Sequence, residues 1–133
     1  MRAQRLLMRE IDLGLQREFA VSKAEFSVIV TLYRAEARVR LVDLGEALDW
    51  EKSRVSHQLT RMENRGFVER AEEGASGRRT GIELTPEGRR LAATLIGWHA
   101  GNVRRYFLDV LSPDQAAALS AWSEQTIARF VRA

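Results

Sequence analysis

LVDLGEALDW (residues 41–50), EKSRVSHQLTRMENRGFVER (51–70) and EEGASGRRTGIELT (72–85) read in order as a short helix, a turn, a second helix and a two-stranded hairpin with a basic tip. In the second helix Val55, Leu59 and Met62 recur at i, i+4 and i+7, the spacing of a buried stripe. Arg54, Gln58 and Arg61 recur with the same spacing on another face, with His57 beside them. Lys52 and Ser53 fall in the first turn, where free backbone N–H groups and the helix dipole favour anions. Asp49 is the expected cap of this helix, and Glu51 puts a negative charge near the positive end of its dipole. The helix is expected to run to about Asn64, where Gly66 can take the left-handed conformation that closes a helix. Phe67 and Val68 begin a strand, Thr80, Ile82 and Leu84 alternate on the return strand, and Gly74 and Gly77 mark the turn between them. Arg78 and Arg79 fall at the hairpin tip. This is the layout of a winged helix-turn-helix, whose second helix is sized for the major groove of DNA and whose wing arginines fit phosphates or the minor groove.

The flanking sequence is helical. Leu7, Ile11 and Leu15 place a helix over residues 1–18. Ser22-Lys23-Ala24-Glu25 is a capping box, and Val21 with Phe26 can form a hydrophobic staple, so a helix is expected from Lys23 to about Ala35. Residues 36–40 form a charged connector with room for a short strand near Val39, and Leu41–Leu48 follow as a short helix. Thr85-Pro86-Glu87 starts a long helix running to about Leu111. Ser112-Pro113-Asp114-Gln115 starts a last helix by the same logic, reaching the C-terminus. The fold class is thus mainly α with a small β-hairpin. The domain reading is N-terminal helices for dimerisation and support (1–36), a DNA-binding lobe (37–87) and C-terminal dimerisation helices (88–133). Trp98, Tyr106, Phe107, Trp122 and Phe130 concentrate large aromatics near the C-terminus, as a helical dimer interface would. A twofold dimer presents two reading helices to a palindrome.

The chain has 133 residues and a mass of 15.1 kDa, which suits one compact domain, and 45% of its residues are hydrophobic. It contains no cysteine, so disulfides, thiolate zinc sites, cysteine nucleophiles and thiol redox sensing are excluded. No apolar run approaches the roughly 20 residues that span a bilayer, and MRAQRLLMREIDLG at the start lacks the apolar stretch of a signal peptide. A cytoplasmic protein without a membrane partner is expected. The net charge is +3, and only Lys23 and Lys52 among 21 basic residues are lysines. Arginine forks onto phosphates and guanine edges better than lysine does. No catalytic constellation emerges: there are two histidines and no HExxH, P-loop or glycine-rich dinucleotide loop. Glu72-Glu73 reads as a solvated pair on a loop. Neither an enzyme nor a cofactor or metal site is expected.

Over nearly its whole length the chain resembles the MarR (multiple antibiotic resistance regulator) transcription factors. LDWEKSRVSHQLTRMENRGFVER (48–70) is similar to the family's recognition helix and first wing strand, and GRRTGIELTPEGRRL (77–91) to its return strand and following helix. The resemblance implies a winged helix-turn-helix set between dimerising helices, with DNA binding weakened by small ligands, often aromatic acids. It implies that Ser53, Arg54, Ser56, His57 and Gln58 face the major groove and that Arg78 is the wing arginine. Three departures stand out. Ser76 takes the place of the aspartate common two residues before that arginine, so Arg78 is expected to be held less firmly and the hairpin tip to be among the least ordered parts. Glu51 stands where serine or threonine is frequent. The missing cysteines remove the family's peroxide-sensing chemistry.

The functional expectation is a sequence-specific regulator of transcription, a repressor that binds a palindromic operator as a dimer and is released by a small ligand. Double-stranded DNA would be met by Lys52, Ser53, Arg54, Ser56, His57, Gln58, Arg61, Arg78 and Arg79. A small aromatic or lipophilic effector would be met by Tyr33, Trp98 and His99. The competing reading is a homodimeric protein-interaction module that uses the same fold without specific DNA binding. Salt-dependent binding to a palindromic duplex separates the two.

Overall fold

The computed structural model describes residues 1–35, 37–73 and 79–131, with backbone alone for residues 72, 73, 79 and 80. In chain order the elements are α1 (Arg2–Phe19), α2 (Lys23–Arg34), β1 (Val39–Arg40), α3 (Leu41–Leu48), α4 (Lys52–Asn64), β2 (Val68–Glu73), β3 (Arg79–Leu84), α5 (Pro86–Tyr106) and α6 (Pro113–Phe130), with a 3₁₀ turn at Leu108–Val110 between the last two helices. The chain packs as two compact units, Met1–Gly97 and Trp98–Ala133.

In the first unit the termini of the elements follow local chemistry. The Ser22 hydroxyl accepts from the Glu25 N–H at 3.1 Å and the Glu25 carboxylate accepts from the Ser22 N–H at 3.1 Å, so the expected capping box starts α2. Asp49 has a different role from the one its sequence position suggests. It closes α3 in the left-handed region (φ 56°, ψ 45°), and its N–H bonds back to α3 carbonyls. Aspartate tolerates that conformation better than most residues. Glu51 is instead the N-cap residue of α4, and no side chain caps that helix. Gly66 has φ +79° and ends the α4 region as expected.

The three strands form an antiparallel sheet in the order β1-β3-β2. Val39 pairs with Ile82, while Val68 pairs with Leu84 and Arg70 with Ile82. Val68, Ile82 and Leu84 are buried against a core of Leu15, Val21, Val28, Ile29, Leu44, Val55, Leu59, Met62 and Leu95. Glu72 and Glu73, read from the sequence as a loop pair, belong to β2 and pair with Thr80 and Arg79. The Thr85 hydroxyl accepts from the Gly88 N–H at 3.0 Å and donates to the Gly66 carbonyl at 2.6 Å. One side chain thus caps α5 and ties its start to the end of α4.

In the second unit α5 stops at Tyr106, short of the expected Leu111. The run Tyr-Phe-Leu-Asp-Val is rich in residues of modest helix propensity, and it tightens into the 3₁₀ turn before Leu111 becomes extended. Ser112 then caps α6 through a capping box with Gln115, at 3.2 and 2.9 Å. No described residue of α6 is buried. Trp122, Ile127 and Phe130 are 63%, 56% and 83% exposed. Phe107, Leu108 and Leu111 with Leu119 and Trp122 line a shallow apolar hollow of about 350 Å³. Among the described residues no helix is long and apolar enough to cross a membrane.

Candidate nucleic-acid interface

Helix α4 divides sharply in exposure. Val55, Leu59 and Met62 are fully or nearly fully buried, as their spacing predicts. Lys52, Ser53, Arg54, His57 and Arg61 are exposed, so one surface of the helix carries three cations, a hydroxyl and an imidazole. Gln58 does not join them. It is 8% exposed and lies with the buried stripe, three residues after Val55 and four before Met62. The expected register of an exposed Arg54-Gln58-Arg61 face is corrected accordingly. Ser56 is half-buried, and its carbonyl accepts the Thr60 hydroxyl at 3.0 Å.

Two arginines outside this surface hold the helix in place. Arg70 on β2 reaches along α4: its Nη2 donates to the Ser56 carbonyl at 3.3 Å and to the Thr60 hydroxyl at 3.2 Å, and its Nε lies 2.6 Å from a Glu63 carboxylate oxygen. These acceptors are spaced i, i+4 and i+7, so one guanidinium straps two turns of α4 to the sheet. Arg65, at the end of α4, pairs with the buried Glu25 of the α2 capping box, and its guanidinium lies 4.7 Å from the centre of the Phe67 ring. The position of the exposed surface is therefore fixed from both the α2 and the sheet side. At the other end the Arg54 guanidinium lies 4.2 Å from the centre of the Trp50 ring.

Sequence reasoning did not single out Trp50, Arg65, Arg70 or Glu25 as parts of the site. Trp50 and Arg54 stand only four residues apart across the start of α4, so their contact is local in sequence. The contacts of Arg70 and Arg65 cross 7 to 40 residues of chain and have no local signature. Of the wing residues, Ser76 and Arg78 lie outside the described residues, as does the expectation about order at the tip. Arg79 is the first residue of β3, paired with Glu73, and not part of the turn itself.

The expected ligand residues lie in both units. Tyr33, at the end of α2, is exposed. Trp98 and His99 on α5 are half-buried, the Trp98 carbonyl accepts the Asn102 amide at 3.0 Å, and burial holds the His99 imidazole below its ordinary pKa. The apolar hollow of the second unit and a surface hollow along α1 are lined by other residues. Among the described residues no group of three or more histidine or acidic side chains could hold a metal ion.

The MarR family model matches residues 21–80. AbsC, a MarR family transcriptional regulator from Streptomyces coelicolor, is 31% identical with a TM-score of 0.82, over 97% of this chain and 87% of that one. Sco3205, a MarR family transcriptional regulator from the same organism solved in complex with DNA, is 26% identical with a TM-score of 0.82, over 99% of this chain and 83% of that one. The MepR–DNA complex from Staphylococcus aureus shares the fold at 18% identity and a TM-score of 0.78, over 96% of this chain and 92% of that one. No curated protein sequence is similar enough to match. With a winged helix-turn-helix in which one helix carries its cations outward, and this likeness over nearly the full length, the chain belongs to the MarR family of transcriptional regulators.

Proposed function

We propose that this protein is a sequence-specific transcriptional repressor that binds a palindromic operator as a homodimer and is released by a small aromatic or lipophilic ligand. The observation that carries the DNA-binding part is the exposed surface of α4. Lys52, Ser53, Arg54, His57 and Arg61 face outward from a helix whose opposite side is locked into the core. Arginine and lysine there meet phosphates or guanine edges, and the serine and histidine meet acceptors or donors in the groove. Arg78 and Arg79 would add contacts from the wing. Gln58 is left out of the reading surface because it is buried in the free protein. The DNA-bound state of the relative Sco3205 supports the reading.

Dimerisation is supported by apolar surface on α1 and α6. Leu6 and Leu13 are about half exposed, and Trp122 and Phe130 more so. Surface of that kind, contributed by large apolar and aromatic side chains, marks protein interfaces. Trp98 and His99, adjacent and half-buried on α5, are the residues proposed to meet the ligand. Titrating the protein against duplexes enriched from a randomised pool tests the DNA-binding and dimer parts of the reading. A repressor dimer enriches an inverted repeat, and its affinity falls linearly in log–log form with salt, by roughly 0.9 per phosphate contacted. Absence of enrichment with an intact dimer would favour the protein-interaction module instead.

A further inference from the structure

We propose that Trp50 is a specificity-determining positioning residue, whose indole ring holds the Arg54 guanidinium ready to read a guanine edge in the major groove. The inference rests on the DNA-binding reading of α4 given above. Trp50 is well suited as a platform because its backbone is immobilised. Its N–H bonds the Gly45 carbonyl at 2.9 Å, directly after the left-handed Asp49. Its carbonyl sits against Gly45 so closely that a Cβ there would lie 3.1 Å away. The ring is half-buried at the corner between α3 and α4. It is therefore fixed just ahead of the first turn of α4, four residues before Arg54.

The type of contact matters. Arg38, Arg40, Arg65 and Arg70 each pair with a carboxylate, which compensates their charge. Arg54 has no such pair among the described residues, and the ring of Trp50 lies 4.2 Å from its guanidinium carbon. Tryptophan attracts a cation more strongly than other rings do, through its quadrupole and without neutralising the charge. The guanidinium is thus restrained while its N–H donors stay uncommitted to any anion. Restraining a long side chain before binding reduces the entropy lost when it meets its target. Guanine O6 and N7 are the acceptors that match its fork.

The experiment uses the wild type, W50F, W50L, R54A and the W50L/R54A double variant, each enriching duplexes from the same randomised pool. Each is then titrated with the duplex that the wild type enriches. R54A is expected to lose preference at one G·C pair in each half-site. W50L is expected to lose preference at that same pair alone, and W50F to keep part of it. On the wild-type duplex W50L should bind about two- to fivefold more weakly, the range of an exposed cation–π contact, and should have no further effect in the R54A background. Equal weakening in both backgrounds, loss of preference at every position alike, or unchanged selection by W50L would overturn the proposal. If circular dichroism shows that W50L does not fold, W50F decides: selection at that pair weakened supports the proposal, and selection unchanged overturns it. If the wild type enriches no duplex, the DNA-binding reading fails and this inference with it. That outcome differs from one in which R54A loses its pair and Trp50 variants do not.

Discussion

Arg70 and Glu63 illustrate how a single side chain can orient a helix it does not belong to. The Arg70 guanidinium is half-buried, and truncating it leaves the Glu63 carboxylate and the Thr60 hydroxyl without their strap. Loss of one partner of a part-buried charged network costs about 1–3 kcal/mol. Arg70→Ala is expected to lower stability by that amount in urea unfolding and to weaken DNA binding although Arg70 itself faces α4. Unchanged unfolding would show that the strap is dispensable. His99 gives a second prediction at this scale. Burial lowers its pKa in the folded protein from the ordinary 6.5. The folded state then takes up this proton less readily than the unfolded chain does, so stability rises with pH across that window. The contribution is complete above pH 6.5 and is lost as pH falls through the lower folded value. His99→Gln should flatten that part of the stability profile, measured by urea midpoints on either side of pH 6.5. An unaltered slope would assign the pH dependence to other groups.

Helix ends and their neighbours set the architecture at the scale of elements. Gly88, in the first turn of α5, lies so close to the chain entering β2 that an added Cβ would overlap the Phe67 carbonyl. The overlap is with backbone and not with a flexible side chain, so it can be relieved only by moving α5 away from the wing. Gly88→Ala is expected to destabilise by about 1–3 kcal/mol, the usual cost of overpacking, despite alanine's better helix propensity. A thermal midpoint at or above that of the wild type would refute this packing. The link matters to the surface proposed to face DNA because the same junction carries the Thr85 hydroxyl bond to the Gly66 carbonyl. At this same C-terminal end of α4, Arg65 ties the helix to the α2 capping box through Glu25. Helix α4 is thus held at its C-terminal end by charge and along its length by Arg70, while Lys52, Ser53 and Arg54 in its first turn are exposed.

For the whole molecule, exposed large apolar side chains among the described residues gather on α1 and in the segment from Tyr106 to Val131. Trp122 is 63% exposed, so replacing it should not disturb the fold of a single chain. Wild-type protein is expected to sediment at twice its 15.1 kDa chain mass. Trp122→Glu would place a charge in the proposed interface and shift the population toward monomer, with retained helicity by circular dichroism. A Trp122→Glu protein that stays dimeric would place the interface elsewhere. The net charge of +3 is too small to bind DNA by bulk attraction alone. Affinity should therefore depend on where the arginines stand, and Arg54→Ala should cost more than its single unit of charge implies.

The sequence by itself determined the order and type of nearly every element, because the signals are local. Ser22 with Glu25 and Ser112 with Gln115 start helices by bonds spanning three residues, and Gly66 supplies a backbone conformation in isolation. The winged helix-turn-helix was legible for the same reason, as was the apolar stripe of Val55, Leu59 and Met62. Gln58 was misplaced because a polar side chain at a core-facing position looks outward in a sequence, and only packing decides whether a site encloses it. Asp49 was assigned to the wrong helix because capping and left-handed closure draw on the same residue types. The end of α5 depended on the 3₁₀ turn that leads into α6. What holds α4 in place, Arg70 from β2 and Glu25 from α2, was decided by the tertiary structure alone. Contacts between residues 7 to 40 positions apart, made across elements, leave no periodicity in the chain, and they exist only once the sheet and helices have met.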